Sequence, residues 1–354
     1  MWTLPYLLLH NARVMKAAMS DFSQRMVGPF ELEKAIGSGG MGAVYKARDH
    51  RCGSTVAVKL LLRPQEATKE WLIEARRLRD EAKVAGKFNY PHIVRLIDTG
   101  DDEELGPYIV YEYLSRGSLD DYLKRNGPME FSEVVERVAK PLLLALSCLH
   151  SSGIVHRDIK PANLFEADDG TFKVGDLGLA LFENRMAKTV QGALVGTPGY
   201  LSPERVHHPE RAATTAADCY GAALVVIKAT TGQLPFRGED PIDLVHDQLN
   251  REVTPNNLSA MGIPQPAANI LSGALQRNPE FRLDDAENML TELSQPMSPS
   301  RMRTTLTDAF KPMYPCRDTG VTTQKMVWSR FDWQWMLAVA LGLTVTTLLS
   351  YSLF

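Results

Sequence analysis

The chain has 354 residues, of which 44% are hydrophobic and 23% are charged, an ordinary mixture for a folded globular protein. Its formal net charge of −3 offers no basic surface of the kind that binds nucleic acid, so no nucleic-acid partner is predicted. Four cysteines, at positions 52, 148, 219 and 316, lie far apart without a C-x-x-C pair. This spacing indicates reduced intracellular thiols and argues against disulfide bridges and a zinc site.

The first 28 residues carry no clear signal for a folded element. The stretch from Leu4 to Leu9 is apolar, but it is short and no basic residue precedes it, which argues against a secretory signal peptide. We therefore predict a poorly ordered N-terminal extension over residues 1–28.

A glycine-rich segment follows, and residues 36–44 read I-G-S-G-G-M-G-A-V. Glycine lets a backbone approach phosphate oxygens where a Cβ atom would collide with them. The pattern is weak by itself, because glycines also mark ordinary turns and dinucleotide sites. Apolar stretches flank it on both sides, Phe30 to Ile36 and Ala43 to Ala47, and predict a strand, a tight loop and a second strand. A dinucleotide site would instead have a helix after the glycines.

The segment V-A-V-K at 56–59 predicts a strand on which Lys59 and Val58 point to opposite faces. A lysine on a strand is most often a solvated charge, so its interest comes from its position after the glycine-rich segment. Apolar residues at spacings of one, three and four predict a helix over residues 69–87. Three glutamates on this helix could pair with Lys59: Glu70, Glu74 and Glu81.

A second apolar helix is predicted from about Glu133 to His150, and it contains Pro141. Proline lacks an N–H group and its ring clashes with the preceding turn, so we expect a lost hydrogen bond and a kink there.

Residues 156–163, H-R-D-I-K-P-A-N, place a carboxylate, a lysine and an amide on one short segment. Asp158 can accept a hydroxyl proton, Lys160 can neutralise a moving phosphate, and Asn163 can hold a metal ion. Phosphoryl transfer from ATP needs these groups close together. Further along, D-L-G at 176–178 supplies another carboxylate, Asp176. Such tripeptides are common turns, so this one matters only because it follows Asp158 at a suitable distance.

Together with G-T-P-G-Y-L-S-P-E at 196–204, these motifs resemble those of eukaryotic-like (Hanks-type) serine/threonine protein kinases, and most of all the bacterial members. The resemblance covers about residues 30–293. The sequence departs from the family pattern at Leu177, which replaces a phenylalanine, and at Ser202, which replaces an alanine. It also departs at 218–223, where D-C-Y-G-A-A replaces D-x-W-S-L-G, so that Tyr220 stands for the tryptophan and Ala223 for the glycine. The resemblance implies an α+β, bilobal protein kinase fold, with a small β-rich N-lobe over 29–112 and a helical C-lobe over 115–293.

The resemblance also implies ATP and Mg²⁺, or Mn²⁺, as cofactors. Asp158, Lys160, Lys59 and Glu81 would be catalytic; Glu81 is preferred by its distance from Pro91, and Glu74 is the reserve. Asn163 and Asp176 would hold the metal, and Tyr111 would be the gatekeeper beside the adenine pocket. The implied nucleotide-binding residues are Ile36, Gly37, Ser38, Gly39, Gly40, Met41, Gly42, Val44, Ala57, Lys59, Glu112 and Leu114. The side chain of Glu112 itself is expected to be structural.

Two further roles are expected from the same resemblance. Glu204 would pair with Arg282 in a buried, structural ion pair, and Asp218 would support the loop that carries Asp158. Arg157 could bind a phosphate placed on the activation segment, and Thr189 is then the best phosphorylation candidate. The alternative is that Thr189 is only a solvated loop residue, while Thr197 is expected to make a structural contact.

The C-terminal residues 336–354 contain no charged side chain. We predict a transmembrane helix over 334–354 with a linker over 294–333 before it, and an aromatic belt at its entry side that includes Trp333 and Trp335. Lys325 and Arg330 precede the helix and no positive charge follows, so the kinase domain would face the cytoplasm, at a bacterial inner membrane. The alternative is an amphipathic helix packed on the C-lobe, because several Thr and Ser residues dilute the apolar run.

The predicted function is transfer of the γ-phosphoryl group of ATP to Ser and Thr hydroxyls of protein substrates. A homodimer could serve autophosphorylation between two copies. Three alternatives share parts of the pattern: a pseudokinase scaffold, a tail-anchored adaptor and a small-molecule phosphotransferase. The intact lysine and aspartates argue against the first two, and the P-E platform at 203–204 argues against the third.

Overall fold

The computed structural model describes Phe22 and residues 24–39, 42–64, 66–177, 199–207 and 214–294. All of them belong to one compact unit, Met1–Ser298. An N-terminal lobe built on a β-sheet is followed by a larger helical lobe, so the predicted bilobal α+β architecture is confirmed.

An antiparallel sheet of six strands in the order β1-β2-β3-β4-β6-β5 forms the N-lobe within the described residues. Buried and partly exposed residues alternate along β3 and most of β4, because successive side chains of a strand point to opposite faces. One face carries a core that includes Phe30, Tyr45 and Val58. The strands are β1 Met26–Val27, β2 Phe30–Gly39, β3 Gly42–Asp49, β4 Thr55–Leu61, β5 Leu96–Asp102 and β6 Gly106–Glu112.

Helix α1, Lys69–Ala85, packs on the other face of the sheet. The hydroxyl of Thr68 accepts a hydrogen bond from the N–H of Trp71 and caps the first turn. Trp71 and Leu78 are buried against Ile109 of β6, and burial of each large apolar side chain contributes roughly 1.5–3 kcal/mol. The helix ends at Ala85, slightly before the predicted end at residue 87.

The C-lobe is mainly helical, with one β-hairpin, β7 Leu164–Glu166 paired with β8 Phe172–Val174. Helix α6 lies at its centre, and almost every residue from Ala216 to Ala229 is buried. The helices are α2 Leu119–Asn126, α3 Phe131–Val134, α4 Lys140–Ser151, α5 Pro203–His207, α6 Thr215–Thr231, α7 Pro241–Asn250, α8 Pro255–Ala260, α9 Gln265–Ala274 and α10 Ala286–Leu293.

The predicted disturbance at Pro141 takes the form of a π-helical turn, Val135–Ala139, which joins α3 to α4. The N–H of Lys140 donates to the carbonyl of Val135, one residue further back than in an α-helix. This wider turn accommodates the missing N–H and the ring of the buried Pro141. The helix therefore continues through the proline.

The first strand corrects one predicted boundary. Met26 and Val27 pair with Glu31 and Phe30, and Val27 is fully buried, although residues 1–28 are predicted as a poorly ordered extension. The sheet therefore begins before residue 29. Among the described residues, no helix is long and apolar enough to cross a membrane. The predicted helix at 334–354, and all but the first residue of the predicted linker, lie outside the described part of the chain.

Candidate active site

Three charged side chains converge on the N-lobe side of the cleft. The ammonium group of Lys59 on β4 lies 2.9 and 2.8 Å from the two carboxylate oxygens of Glu81 on α1. It also lies 3.0 Å from Oδ1 of Asp176, which follows β8. Glu81 is therefore the glutamate that pairs with Lys59, and Glu74 instead contacts Arg77 on its own helix. The side chain of Glu70 lies outside the described part.

A fourth side chain completes this group. The hydroxyl of Tyr111, near the end of β6, donates to Oε1 of Glu81 at 2.8 Å. Tyr111 pairs with Ala57 in the sheet, so it reaches Glu81 from the strand next to Lys59. Tyr111, the predicted gatekeeper, thus makes a third hydrogen bond to Glu81, a contact that the sequence did not predict.

The electrostatics of the group follow from burial and proximity. Burial raises the pKa of Glu81, and the attraction of Lys59 opposes that rise. Burial also disfavours the charged form of Lys59, but Asp176 and Glu81 more than compensate and raise its pKa. Lys59 holds the pKa of Asp176 below its usual range. Lys59 therefore stays positive and Asp176 negative at neutral pH.

The segment that carries Asp158 is held through its backbone by a carboxylate of α6. Asp218, which is 1% exposed, accepts hydrogen bonds of 2.7 Å from the N–H groups of both His156 and Arg157. It also lies 2.9 Å from Nε2 of His150 on α4. Bonds from N–H groups to a carboxylate are roughly twice as strong as neutral ones. The loop is thus fixed to the most buried helix of the C-lobe.

A close approach between backbones strengthens the same attachment. A Cβ atom at Gly221 of α6 would lie 2.9 Å from Cβ of Ile159, so only glycine fits there. Ala223 stands where the family pattern has glycine. Ala223 is fully buried in the C-lobe core, and the contact with the loop occurs at Gly221.

Asp158, Lys160 and Asn163 lie together at the base of the cleft. The amide nitrogen of Asn163 donates to the carbonyl oxygen of Asp158 at 2.8 Å and to its Oδ2 at 2.9 Å. The ammonium of Lys160 lies 2.7 Å from the same Oδ2. The backbone of Gly175 joins Asp176 to this loop, because its N–H donates to the carbonyl of Asn163 at 2.9 Å and its carbonyl lies 3.0 Å from Nε2 of His156.

Two residues of these loops adopt backbone conformations that non-glycine residues seldom take. Arg157 has φ of 71° and Asp176 has φ of 59°. Such conformations persist only where surrounding contacts impose them, and they concentrate at functional sites. Here the contacts that impose them are the hydrogen bond from the N–H of Arg157 to Asp218 and the contact between Nε2 of His156 and the carbonyl of Gly175.

An ion pair fixes the end of the segment that contains Tyr200. The guanidinium of Arg282 donates to the two carboxylate oxygens of Glu204 at 2.7 and 2.9 Å, and it lies 4.9 Å from the centre of the Tyr220 ring. Burial would raise the pKa of Glu204, but the hydrogen bonds and charge of Arg282 lower it overall. Tyr220 stands where the family pattern has tryptophan and keeps an aromatic ring under the guanidinium.

Comparison with known proteins agrees with this geometry. Residues 30–293 match the family model described as protein kinase domain. The chain belongs to the protein kinase family.

Curated relatives narrow the class of this kinase domain. It is 31% identical over 279 residues to serine/threonine-protein kinase PrkC of Bacillus subtilis, an alignment that covers 79% of this chain and 42% of the relative. It is 34% identical over 286 residues to serine/threonine-protein kinase PknB of Mycobacterium leprae, covering 79% and 45%. The chain thus spans less than half the length of these relatives. The predicted enzyme class, a serine/threonine protein kinase, is confirmed by the family and these relatives.

A solved structure shows the same fold. The crystal structure of Rad53 1–466 in complex with AMP-PNP aligns with a TM-score of 0.61 and 27% identity. The alignment covers 75% of this chain and 64% of that one.

Several of the implied nucleotide-binding residues lie on the N-lobe sheet near Lys59. Val44 is paired with Lys59, and Ala57 lies two residues before Lys59, so these three residues share one face of the sheet. Gly42 is required by space, because a Cβ atom there would lie 2.8 Å from the carbonyl oxygen of Leu60. Ile36 is 45% exposed near the end of β2. Gly39 is the last residue of β2, whereas Gly40, Met41 and the side chain of Ser38 lie outside the described part of the chain.

The segment after β6 connects the two lobes. The carboxylate of Glu112 lies 2.8 and 3.0 Å from the ammonium of Lys173 on β8 and accepts from the N–H of Arg95 at 2.8 Å. Its backbone N–H donates to the carbonyl of Arg95 at 3.0 Å. The Glu112 side chain is therefore occupied on the side of the N-lobe away from Lys59, and the sequence did not indicate Lys173 as its partner. Leu114 follows in the connection, half-buried.

Asn163 and Asp176 form a donor set that suits Mg²⁺. Because Asp158 accepts from the Asn163 amide nitrogen, the amide oxygen is the atom left to ligate. Magnesium prefers oxygen ligands and usually keeps waters or substrate phosphates as well, so one amide oxygen and one carboxylate fit it. No group of three or more His, Cys, Asp or Glu side chains that could hold a metal occurs within the described ranges. Thr189 and Thr197 lie outside these ranges.

Proposed function

We propose that this chain transfers the γ-phosphoryl group of ATP to serine and threonine hydroxyls of protein substrates. The observation that carries the proposal is the convergence of Lys59, Asp158 and Asp176 around one cleft. Lys59 is 3.0 Å from Asp176, and Asp176 is joined through Gly175 to the loop of Asp158. Phosphoryl transfer depends on such positioned charges more than on covalent help from the protein.

Each residue has a separate task in the proposed reaction. Lys59, held by Glu81, binds the α- and β-phosphates, and the hydroxyl of Tyr111 donates to Glu81. Asp158 orients the acceptor hydroxyl and accepts its proton as the oxygen bonds to the γ-phosphorus. The bond from that phosphorus to the bridging oxygen breaks, and ADP leaves with the electron pair. Lys160 lies beside Asp158 and neutralises charge on the transferred group.

The metal supplies electrostatic stabilisation when it is bound, by neutralising charge on the phosphates. Asn163 and Asp176 would hold it. Because the transition state of phosphoryl transfer is loose, Asp158 needs little base strength, and its orientation matters more. The two bonds from the Asn163 amide provide that orientation.

The proposal extends to the membrane. Residues 336–354 are uncharged, and at about 1.5 Å per residue a helix over them would be roughly 29 Å long, close to the thickness of the bilayer hydrocarbon core. The helix would anchor the chain to a bacterial inner membrane, with the kinase domain on the cytoplasmic side. Two anchored copies could then phosphorylate each other, with Thr189 as the candidate target.

Labelled ATP, Mg²⁺ and a generic protein substrate test the chemistry. We expect label on serine and threonine residues of the substrate with the wild-type chain and none with Asp158→Asn. Label on a small molecule alone, or equal labelling by both proteins, would contradict the proposal.

Extraction of membranes from expressing cells with alkaline carbonate tests the anchor. The full chain should remain in the membrane, and a chain ending at residue 333 should be released.

A further inference from the structure

Gln248 makes an unusual set of contacts for a buried side chain. It lies on α7 and is 1% exposed. Its amide nitrogen donates to the carbonyl oxygens of Gly199 at 3.2 Å and Leu201 at 2.7 Å, and it lies 3.0 Å from the Tyr220 hydroxyl. One side chain thus binds the carbonyls on both sides of Tyr200 and connects them to α6.

The same segment touches α7 a second time through Gly199. A Cβ atom at Gly199 would lie 2.8 Å from Leu234 and 3.0 Å from Leu244, and its φ of +90° also favours glycine. The backbone at 199–201 is therefore fixed to α7 by close packing at one end and by the Gln248 amide along its length.

The fixed segment is coupled to the loop that carries Asp158. Arg205, on the short helix that follows, donates to the carbonyl of Arg157, the residue before Asp158. Tyr220, the third partner of Gln248, lies on the same helix as Asp218, which holds that loop. Gln248 therefore links the segment to the catalytic loop by way of α6.

The amide oxygen of Gln248 indicates why a glutamine stands here. Oε1 is buried and has no hydrogen-bond partner among the described residues. An unsatisfied buried acceptor is unfavourable, and an apolar side chain of similar size would avoid it. The nitrogen, in contrast, has two carbonyl acceptors. The contribution of this residue thus comes from the N–H groups that hold residues 199 and 201.

We propose that Gln248 is a positioning residue for the acceptor peptide. By fixing residues 199–201 on α7, it sets the depth at which a bound protein segment presents its hydroxyl to Asp158. It therefore governs the KM for the protein or peptide substrate and leaves the ATP site unaffected. This inference rests on the proposed protein kinase function.

Gln248→Met in the full chain tests the inference, because methionine has similar length and no donor. We expect the KM for a peptide substrate to rise about tenfold, the effect of losing one to two ordinary hydrogen bonds. The KM for ATP and the slow hydrolysis of ATP without peptide should stay within about twofold of wild type. Gln248→Glu should raise the peptide KM further, since its oxygens would face the two carbonyls.

Asn250→Ala provides a matched control on the same helix. Asn250 is exposed, and its amide donates only to the nearby carbonyl of His246. Its replacement should leave the peptide KM unchanged. A merely structural role of Gln248 would lower the melting temperature and reduce peptide phosphorylation and ATP hydrolysis together, with no change in the peptide KM. That result, or a wild-type peptide KM in Gln248→Met, would overturn the inference.

Hydrogen exchange gives a second readout that does not depend on activity. In Gln248→Met we expect faster exchange over residues 199–207 and unchanged exchange in α6. If the wild-type chain phosphorylates no peptide, the proposed function fails, and exchange still decides whether Gln248 holds this segment. Unchanged exchange at 199–207 would overturn the inference even if the wild-type chain is an active kinase.

Discussion

Lys59 and Asp158 face the same cleft, but they are held in place by different kinds of interaction. The ammonium of Lys59, whose side chain is 30% exposed, is held by two carboxylates, that of Glu81 and that of Asp176, whose side chain is 46% exposed. The loop of Asp158 is held through its backbone by the fully buried Asp218. Partly exposed ion pairs can exchange partners when charged phosphates arrive, whereas buried backbone bonds keep one geometry. The N-lobe side is thus built to respond to the nucleotide, and the C-lobe side to stay fixed.

The N-lobe side of the cleft, around Lys59, is called the responsive side below, and the C-lobe side, around the loop of Asp158, the fixed side. On the responsive side, Asp176→Ala should cause the largest loss of activity. Phosphoryl transfer should fall by roughly a thousandfold or more, because both the proposed metal ligand and a carboxylate partner of Lys59 are lost. Lys59→Met should have a similar effect. Initial rates with saturating peptide and ATP measure the loss.

Circular dichroism and thermal unfolding serve as controls for these two variants. Because the Asp176 side chain is 46% exposed, its removal should leave the fold intact. Substantial turnover by a folded Asp176→Ala protein would remove Asp176 from the metal site and leave the responsive side without its main group.

Asp218→Asn should break the fixed side, and its effect should appear in stability as well as in rate. The amide is neutral and retains one acceptor oxygen, so one of the two backbone N–H groups loses its acceptor and the other loses a charged partner. Bonds to charged groups contribute roughly 1.5–3 kcal/mol, and we expect the free energy of unfolding to fall by about 2 kcal/mol. Urea denaturation measures this change. Unchanged stability together with a large loss of rate would show that Asp218 acts in the chemistry and not as an anchor.

The two sides also differ in how far the sequence could predict them. Residues within one motif, such as Asp158, Lys160 and Asn163, are close in sequence, so a short loop brings them together. The choice between Glu74 and Glu81 was harder, since residues seven apart lie on the same face of a helix. They differ by roughly 10 Å along the helix axis, which periodicity cannot detect. Only the position of β4 against α1 decides that Glu81 meets Lys59.

Other contacts between distant segments, which no motif of the family marks, could not be predicted. Tyr111 and Glu81 are 30 residues apart, Glu112 and Lys173 are 61 apart, and Gln248 and Leu201 are 47 apart. No local pattern marks any of these pairs, because their proximity results from the packing of whole elements. Pro141 did indicate an irregular helix, but the π-helical turn that accommodates it depends on hydrogen bonds of the preceding residues.

Acid provides a milder test of the fixed side. Arg282 lowers the pKa of Glu204 below the ordinary glutamate value of 4.5 in the folded chain. The stability from this pair is therefore complete above about pH 4.5, and it is lost as the pH falls through the folded pKa. The difference in unfolding free energy between wild type and Glu204→Gln should be constant from pH 7 to about 5 and shrink below that. A difference that does not depend on pH would contradict the assigned ion pair.

Tyr111→Phe should have the smallest effect on activity of these variants. It weakens the contacts around Glu81 on the responsive side but leaves Lys59 and Asp176 in place. The variant keeps the ring and removes one of the donors to Glu81, the 2.8 Å bond from the hydroxyl. Loss of one hydrogen bond of about 1 kcal/mol should raise the KM for ATP roughly fivefold and leave the peptide KM unchanged. Tyr113→Phe is the matched control, since this tyrosine lies two residues further and its ring faces Lys46. If both variants bind ATP as the wild type does, Lys59 alone keeps Glu81 in place, and Tyr111 only fills space behind the nucleotide.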